Sequence, residues 1–143
     1  MTEGTRVQPR PANQGEAAAP ALELRSVSAG YGASAVLHDV SISVPRSSVV
    51  ALLGPNGAGK TTTLRVAAGL LRPASGAVVI GGKEAGRAAP FRRARQGVCL
   101  IPEGRGIFRS LTVRENLELL IPPWRKDGSI DPAVQAFPIL GQR

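Results

Sequence analysis

The stretch of this chain with the clearest capacity for chemistry is Gly54-Pro55-Asn56-Gly57-Ala58-Gly59-Lys60-Thr61. Gly54, Gly59, Lys60 and Thr61 match the spacing G-x-x-x-x-G-K-[ST]. Gly54, Gly57 and Gly59 permit backbone angles and close approaches that a Cβ would block. Amide N–H groups can then turn inward as an anion nest. A helix opening directly after the loop adds its positive N-terminal end. Lys60 supplies a mobile ammonium for the outer phosphates of a nucleotide. The Thr61 hydroxyl is a hard oxygen donor of the kind Mg²⁺ favours.

Such a loop works only between a strand and a helix. "SVVALLG" is a short continuous apolar run just before it, the pattern of a strand covered on both faces of a parallel sheet. Leu64, Ala67, Ala68 and Leu71 recur at helical spacing after it, and Pro73 is expected to end that helix. Upstream, Leu22, Leu24 and Val27 alternate imperfectly, as an early strand. Val40, Ile42 and Val44 alternate cleanly up to Pro45. Downstream come a turn at "PASG", strands at "AVVIGG" and "GVCLIP", and a helix after Pro90 within 84–96. Thr112 and Glu115 form a capping box opening a helix to about Leu120. Beyond "PPW" no clear element is expected. Residues 1–20, rich in Pro, Ala, Gln and Gly, read as a disordered lead-in, leaving 21–143 as the folded part.

The chain has 143 residues, 43% hydrophobic and 20% charged, the profile of a single soluble globular domain. No apolar run approaches a membrane span, and no secretory leader is visible at the N-terminus. A net charge of +8 draws anionic partners, but 3% aromatics give poor support to a base-stacking nucleic-acid surface. The arginines at 87, 92, 93 and 95 read as a solvated helix face. His38 reads as structural or exposed, and Cys99 as a small core residue.

Taken together, "LHDVSISV" and "VVALLGPNGAGKTTTLRVAAGLLRPASGAVVIGG" resemble the nucleotide-binding domain of ABC transporters. The likeness runs from about Leu22 to Leu120. "RQGVCLIPEGRGIFRSLTVRENLEL" is similar to the ATPase subunits of branched-chain amino acid importers. The fold this implies is an α/β P-loop NTPase: N-terminal antiparallel strands plus part of a parallel-sheet core, incomplete. The resemblance also implies ATP and Mg²⁺ as cofactors, with the loop Gly54, Pro55, Asn56, Gly57, Ala58, Gly59 holding phosphates. It assigns Lys60 to the phosphates, Thr61 to the metal, Thr62 to a second phosphate contact, and Tyr31 to stacking on adenine. Glu103 falls where most of the family has a glutamine that meets Mg²⁺, the attacking water and the membrane partner. The partners implied are permease subunits and a second ATP-binding subunit, on the cytoplasmic face of the plasma membrane. Two departures stand out: "PRSS" replaces a glycine-containing turn common in the family, and the lead-in has no counterpart.

Cleaving a phosphoanhydride also needs a carboxylate to hold the metal and another to position water. The family carries these as Asp-Glu after an apolar strand, with an "LSGGQ"-like signature closing from a second copy. Asp127 and Asp131 follow no apolar run, and no such signature is present. The chain is therefore expected to behave as a truncated member, marginally stable and without turnover on its own. Two other readings remain: a small P-loop kinase using lid arginines, and a basic nucleic-acid-binding module.

Overall fold

The computed structural model describes residues 19–101, 106–125 and 128–142. The chain divides into two units between Leu100 and Ile101.

In the first unit, β1 (Leu22–Tyr31) and β2 (Ser34–Val44) form an antiparallel hairpin across Gly32 and Ala33. β3 (Ser75–Ile80) pairs antiparallel with the other edge of β1, setting Leu22 opposite Ile80 and Leu24 opposite Val78. The short β4 (Lys83–Glu84) completes the order β2-β1-β3-β4. The sheet packs Leu24, Val27, Ala29, Leu37, Val78 and Ile80 against Val66 of a helix, α1 (Lys60–Ala68). Val27, Val66 and Val79 are wholly enclosed, and each contributes roughly 1.5–3 kcal/mol by leaving water.

The imperfect alternation of β1 has a physical cause. The pairing with β2 slips between Leu24 and Val27, and Ser26 takes a φ of 48° there. This bulge changes the parity of the strand, so Leu24 and Val27 can both enter the core. Asp39, at φ 52°, does the same for β2 between Leu37 and Val40. Each bulged N–H is satisfied by a serine on the other strand. Ser26 N–H donates to Ser41 Oγ at 2.9 Å, and Asp39 N–H to Ser28 Oγ at 3.0 Å. The "PRSS" turn is also unusual: Ser47 adopts a φ of 52°, and the Ser48 hydroxyl donates to the Pro45 carbonyl at 2.8 Å. In the turn where the resemblance implies a glycine-containing segment, this chain sets a serine in the left-handed region.

α1 ends earlier than expected. Gly69, at φ 79°, turns the chain out of the helix four residues before Pro73. The helix end is then closed by Arg93, from α2 (Pro90–Arg95). Arg93 is 2% exposed, so the solvated arginine face expected there is broken at this position. Its Nη1 donates to the carbonyls of Val66 at 2.6 Å and Ala67 at 2.9 Å, and its Nη2 to Gly86 at 3.3 Å. A cation at the negative end of a helix satisfies carbonyls that have no partner within it. Burial pushes the Arg93 guanidinium below its ordinary value.

Two expected strands are not formed. "SVVALLG" and "GVCLIP" carry no strand at their described positions. Val49 is 99% exposed and Leu53 88%. Cys99, expected in the core, is exposed. An apolar run becomes a strand only when neighbouring strands take its N–H and C=O groups, and the antiparallel sheet offers these segments no ladder.

In the second unit, α3 (Val113–Leu119) starts with the expected capping box. Thr112 N–H donates to Glu115 Oε2 at 2.7 Å, and Glu115 N–H returns to Thr112 Oγ1 at 3.2 Å. α4 (Asp131–Ala136) and a 3₁₀ turn (Pro138–Gln142) occupy the tail, where no element was expected. α4 is only six residues long, and the Ser129 hydroxyl both donates to Asp131 Oδ2 at 2.6 Å and accepts from its N–H at 3.0 Å. So short a helix offers no periodicity to read.

Candidate phosphate-binding site

The 54–59 loop delivers its chain into α1 through Gly59, the residue preceding the helix, at φ 88°. A Cβ built there would come within 2.7 Å of Leu37 Cδ2, so the loop lies close against β2. Gly57 also has positive φ, 87°. Thr63 anchors the first turn from inside: its N–H and hydroxyl both donate to the Gly59 carbonyl, at 2.8 and 3.0 Å. No side chain caps the N-terminus of α1, and no acidic residue occupies its first turn. The amides of the opening turn therefore face the loop without a protein anion to neutralise them.

Lys60 reaches back over this cup. Its Nζ donates to the carbonyls of Gly54 and Pro55, both at 2.7 Å. The ammonium thus spans the rim of the loop, and among the described residues no carboxylate forms an ion pair with it. Thr61 is exposed beside it, while Thr62 is buried. Backbone amides, one ammonium and an exposed hydroxyl are the donors that a Mg²⁺-bearing polyphosphate requires. Among the described residues, no group of three or more His, Cys, Asp or Glu could hold a metal by itself.

Tyr31 ends β1, and the structure brings it to the same helix. Its hydroxyl accepts from Arg65 Nη1 at 3.1 Å. The bond to Thr62, then that to Arg65, hold the phenol below its ordinary value. Glu103 lies outside the described residues, as do Asp127 and most of the 1–20 lead-in. His38 is exposed. Arg65 was not anticipated from the sequence; its only signal there is a cation one helical turn after Thr61.

The sequence model of the family described as ABC transporter matches residues 37–143. The chain belongs to the ABC transporter family. The lipopolysaccharide export system ATP-binding protein of Haemophilus influenzae is 41% identical over 106 residues, 74% of this chain and 44% of that protein. The high-affinity branched-chain amino acid transport ATP-binding protein of Pseudomonas aeruginosa is 37% identical over 125 residues, 85% of this chain and 54% of that protein. A solved structure described as the ATP binding subunit of an ABC transporter superposes with a TM-score of 0.68 at 34% identity, covering 85% of this chain and 52% of that one. The chain spans about half the length of the curated ABC relatives it matches. The fold class that the resemblance implies is that of these cassettes. Among the described residues, no helix is long and apolar enough to cross a membrane.

Proposed function

We propose that this chain is the ATP-binding part of a subunit that energises import across a membrane, with branched-chain amino acids as the transported class. One observation carries the nucleotide reading: a G-x-x-x-x-G-K-T loop standing on an uncapped helix, with Lys60 bridging its rim. The import reading is supported by "IPEGRGIF" and "LTVRENLEL" and by the branched-chain amino acid transport relatives from Archaeoglobus fulgidus and Pseudomonas aeruginosa. The lipopolysaccharide export relative is as similar, which leaves the solute to be decided by experiment.

In this reading Lys60, which holds the Gly54 and Pro55 carbonyls, would hold phosphate oxygens, the Thr61 hydroxyl would be a ligand for Mg²⁺, and the amides from Gly57 to Thr62 would neutralise the phosphate tail. Tyr31 offers its ring to the adenine. The resemblance implies that Glu103 would offer a carboxylate to the metal and meet the permease. ATP supplies the free energy that draws two such domains together, and its hydrolysis lets them part. The subunit works on the cytoplasmic face of the membrane beside permease subunits. Hydrolysis requires the Asp-Glu pair and signature loop, which these 143 residues do not contain.

Equilibrium binding of labelled Mg²⁺-ATP tests the core of this. Retention at millimolar supply is expected, and Lys60→Ala is expected to lose about tenfold or more, the worth of a charge-assisted bond. Equal retention by the two proteins, or none by either, removes the nucleotide reading. Uptake of labelled leucine by cells lacking the gene tests the solute; unchanged uptake removes the importer assignment and leaves the nucleotide site.

A further inference from the structure

Arg65 lies on α1 one turn beyond the phosphate loop, and is exposed. Its guanidinium crosses from the helix to the end of β1, where Nη1 donates to the Tyr31 hydroxyl at 3.1 Å. Tyr31 is therefore held at its tip from α1. The residue stays 44% exposed. A phenol tethered at its oxygen can keep a π-face for a flat ligand while losing the freedom to swing away. The hairpin adds to this from the other side. A Cβ at Gly30 would come within 2.0 Å of the Ser34 carbonyl oxygen, so the backbone bearing Tyr31 lies flush with β2.

We propose that Arg65 is a positioning residue for the base end of the nucleotide site, fixing the Tyr31 ring as a platform for a purine. This rests on the nucleotide reading above and assigns a division of labour within it. Loop amides and Lys60 hold the polyphosphate, while Arg65 acts on affinity only through the tyrosine. Both groups ride on α1, so base and phosphate subsites share one rigid frame. Ordering the ring in advance reduces what binding must spend on immobilising it.

The test exploits Tyr31 being the only tyrosine in the chain. Ultraviolet absorbance of the phenolate then reports this one group. In the full chain, Arg65→Gln should raise the pH at which it ionises, and Arg65→Lys should restore part of the shift. Binding is measured for Mg²⁺-ATP and for Mg²⁺-tripolyphosphate, which has no base. Arg65→Gln and Tyr31→Phe should each weaken ATP about threefold to tenfold, as expected for a hydrogen bond worth roughly a kcal/mol. The double variant should weaken it no further, and tripolyphosphate binding should not change. Equal losses for both ligands, additive losses in the double variant, or an unshifted phenol titration would each overturn the proposal. Wild-type chain that binds tripolyphosphate in a Lys60-dependent way but gains nothing from the base would overturn it while leaving the phosphate site intact. Failure to bind either ligand would overturn both.

Discussion

Gly59 concentrates the demands placed on single residues here. It must adopt a φ of 88°, and its missing side chain leaves room for Leu37 Cδ2 at a distance no Cβ tolerates. Gly59→Ala is expected to cost about 1–3 kcal/mol through backbone strain, with the contact adding to it. Urea denaturation measures this; a loss within experimental error would mean that the loop does not lie against β2. The residues proposed for the phosphate site stand out by type alone, because phosphate chemistry constrains glycine, lysine and threonine at set intervals. Tyr31 enters the proposal only through family resemblance, and Arg65 only through the structure. Its role depends on a contact between residues 34 positions apart, which no local pattern encodes. Arg93 was misread for the same reason. An arginine among arginines reads as solvated until the fold places carbonyls around it.

At the level of elements, helix starts were easier to read than strands. The Thr112–Glu115 box is local chemistry, and it forms as expected. Bonds from the Thr112 N–H and hydroxyl hold the Glu115 carboxyl below its ordinary value. A lowered carboxylate contributes stability that is full above the unfolded value and lost as the pH falls through the folded one. The start of α3 should therefore loosen in acid, seen as a shift of the Thr112 amide resonance, and Glu115→Gln should remove that pH dependence. An amide that titrates identically in the variant would show the box is not in control. Asn116 steadies the same segment: its side chain accepts from Phe108 N–H at 2.7 Å and donates to the carbonyls of Phe108 and Thr112 at 3.0 and 2.9 Å. The "ENL" of the sequence thus owes its asparagine to loop closure. The hairpin strands were only half legible, because Ser26 and Asp39 break the period of two that defines them.

Across the whole chain, apolar surface outruns the available cover. In the first unit Val49 and Leu53 stand almost fully in water; in the second, Ile107 is 78% and Leu120 68% exposed. Apolar side chains at this exposure favour association. Purified chain should form concentration-dependent oligomers by light scattering, and Val49→Lys with Leu53→Lys should reduce them. Oligomers unaffected by that pair would place the association elsewhere. The sequence suggested strands at "SVVALLG" and "GVCLIP" because their composition is right for burial. Composition specifies an appetite for neighbours, and the neighbours must come from other segments.

The Arg93 clamp carries a consequence for inheritance. A Cβ at Gly69 would come within 2.8 Å of Arg93 Nε, so the two positions share one volume. Any lineage that enlarges residue 69 must shrink or redirect residue 93, besides holding a side chain at a φ of 79°. The two should change together among descendants of this chain, a signature of shape readable in an alignment without any assay.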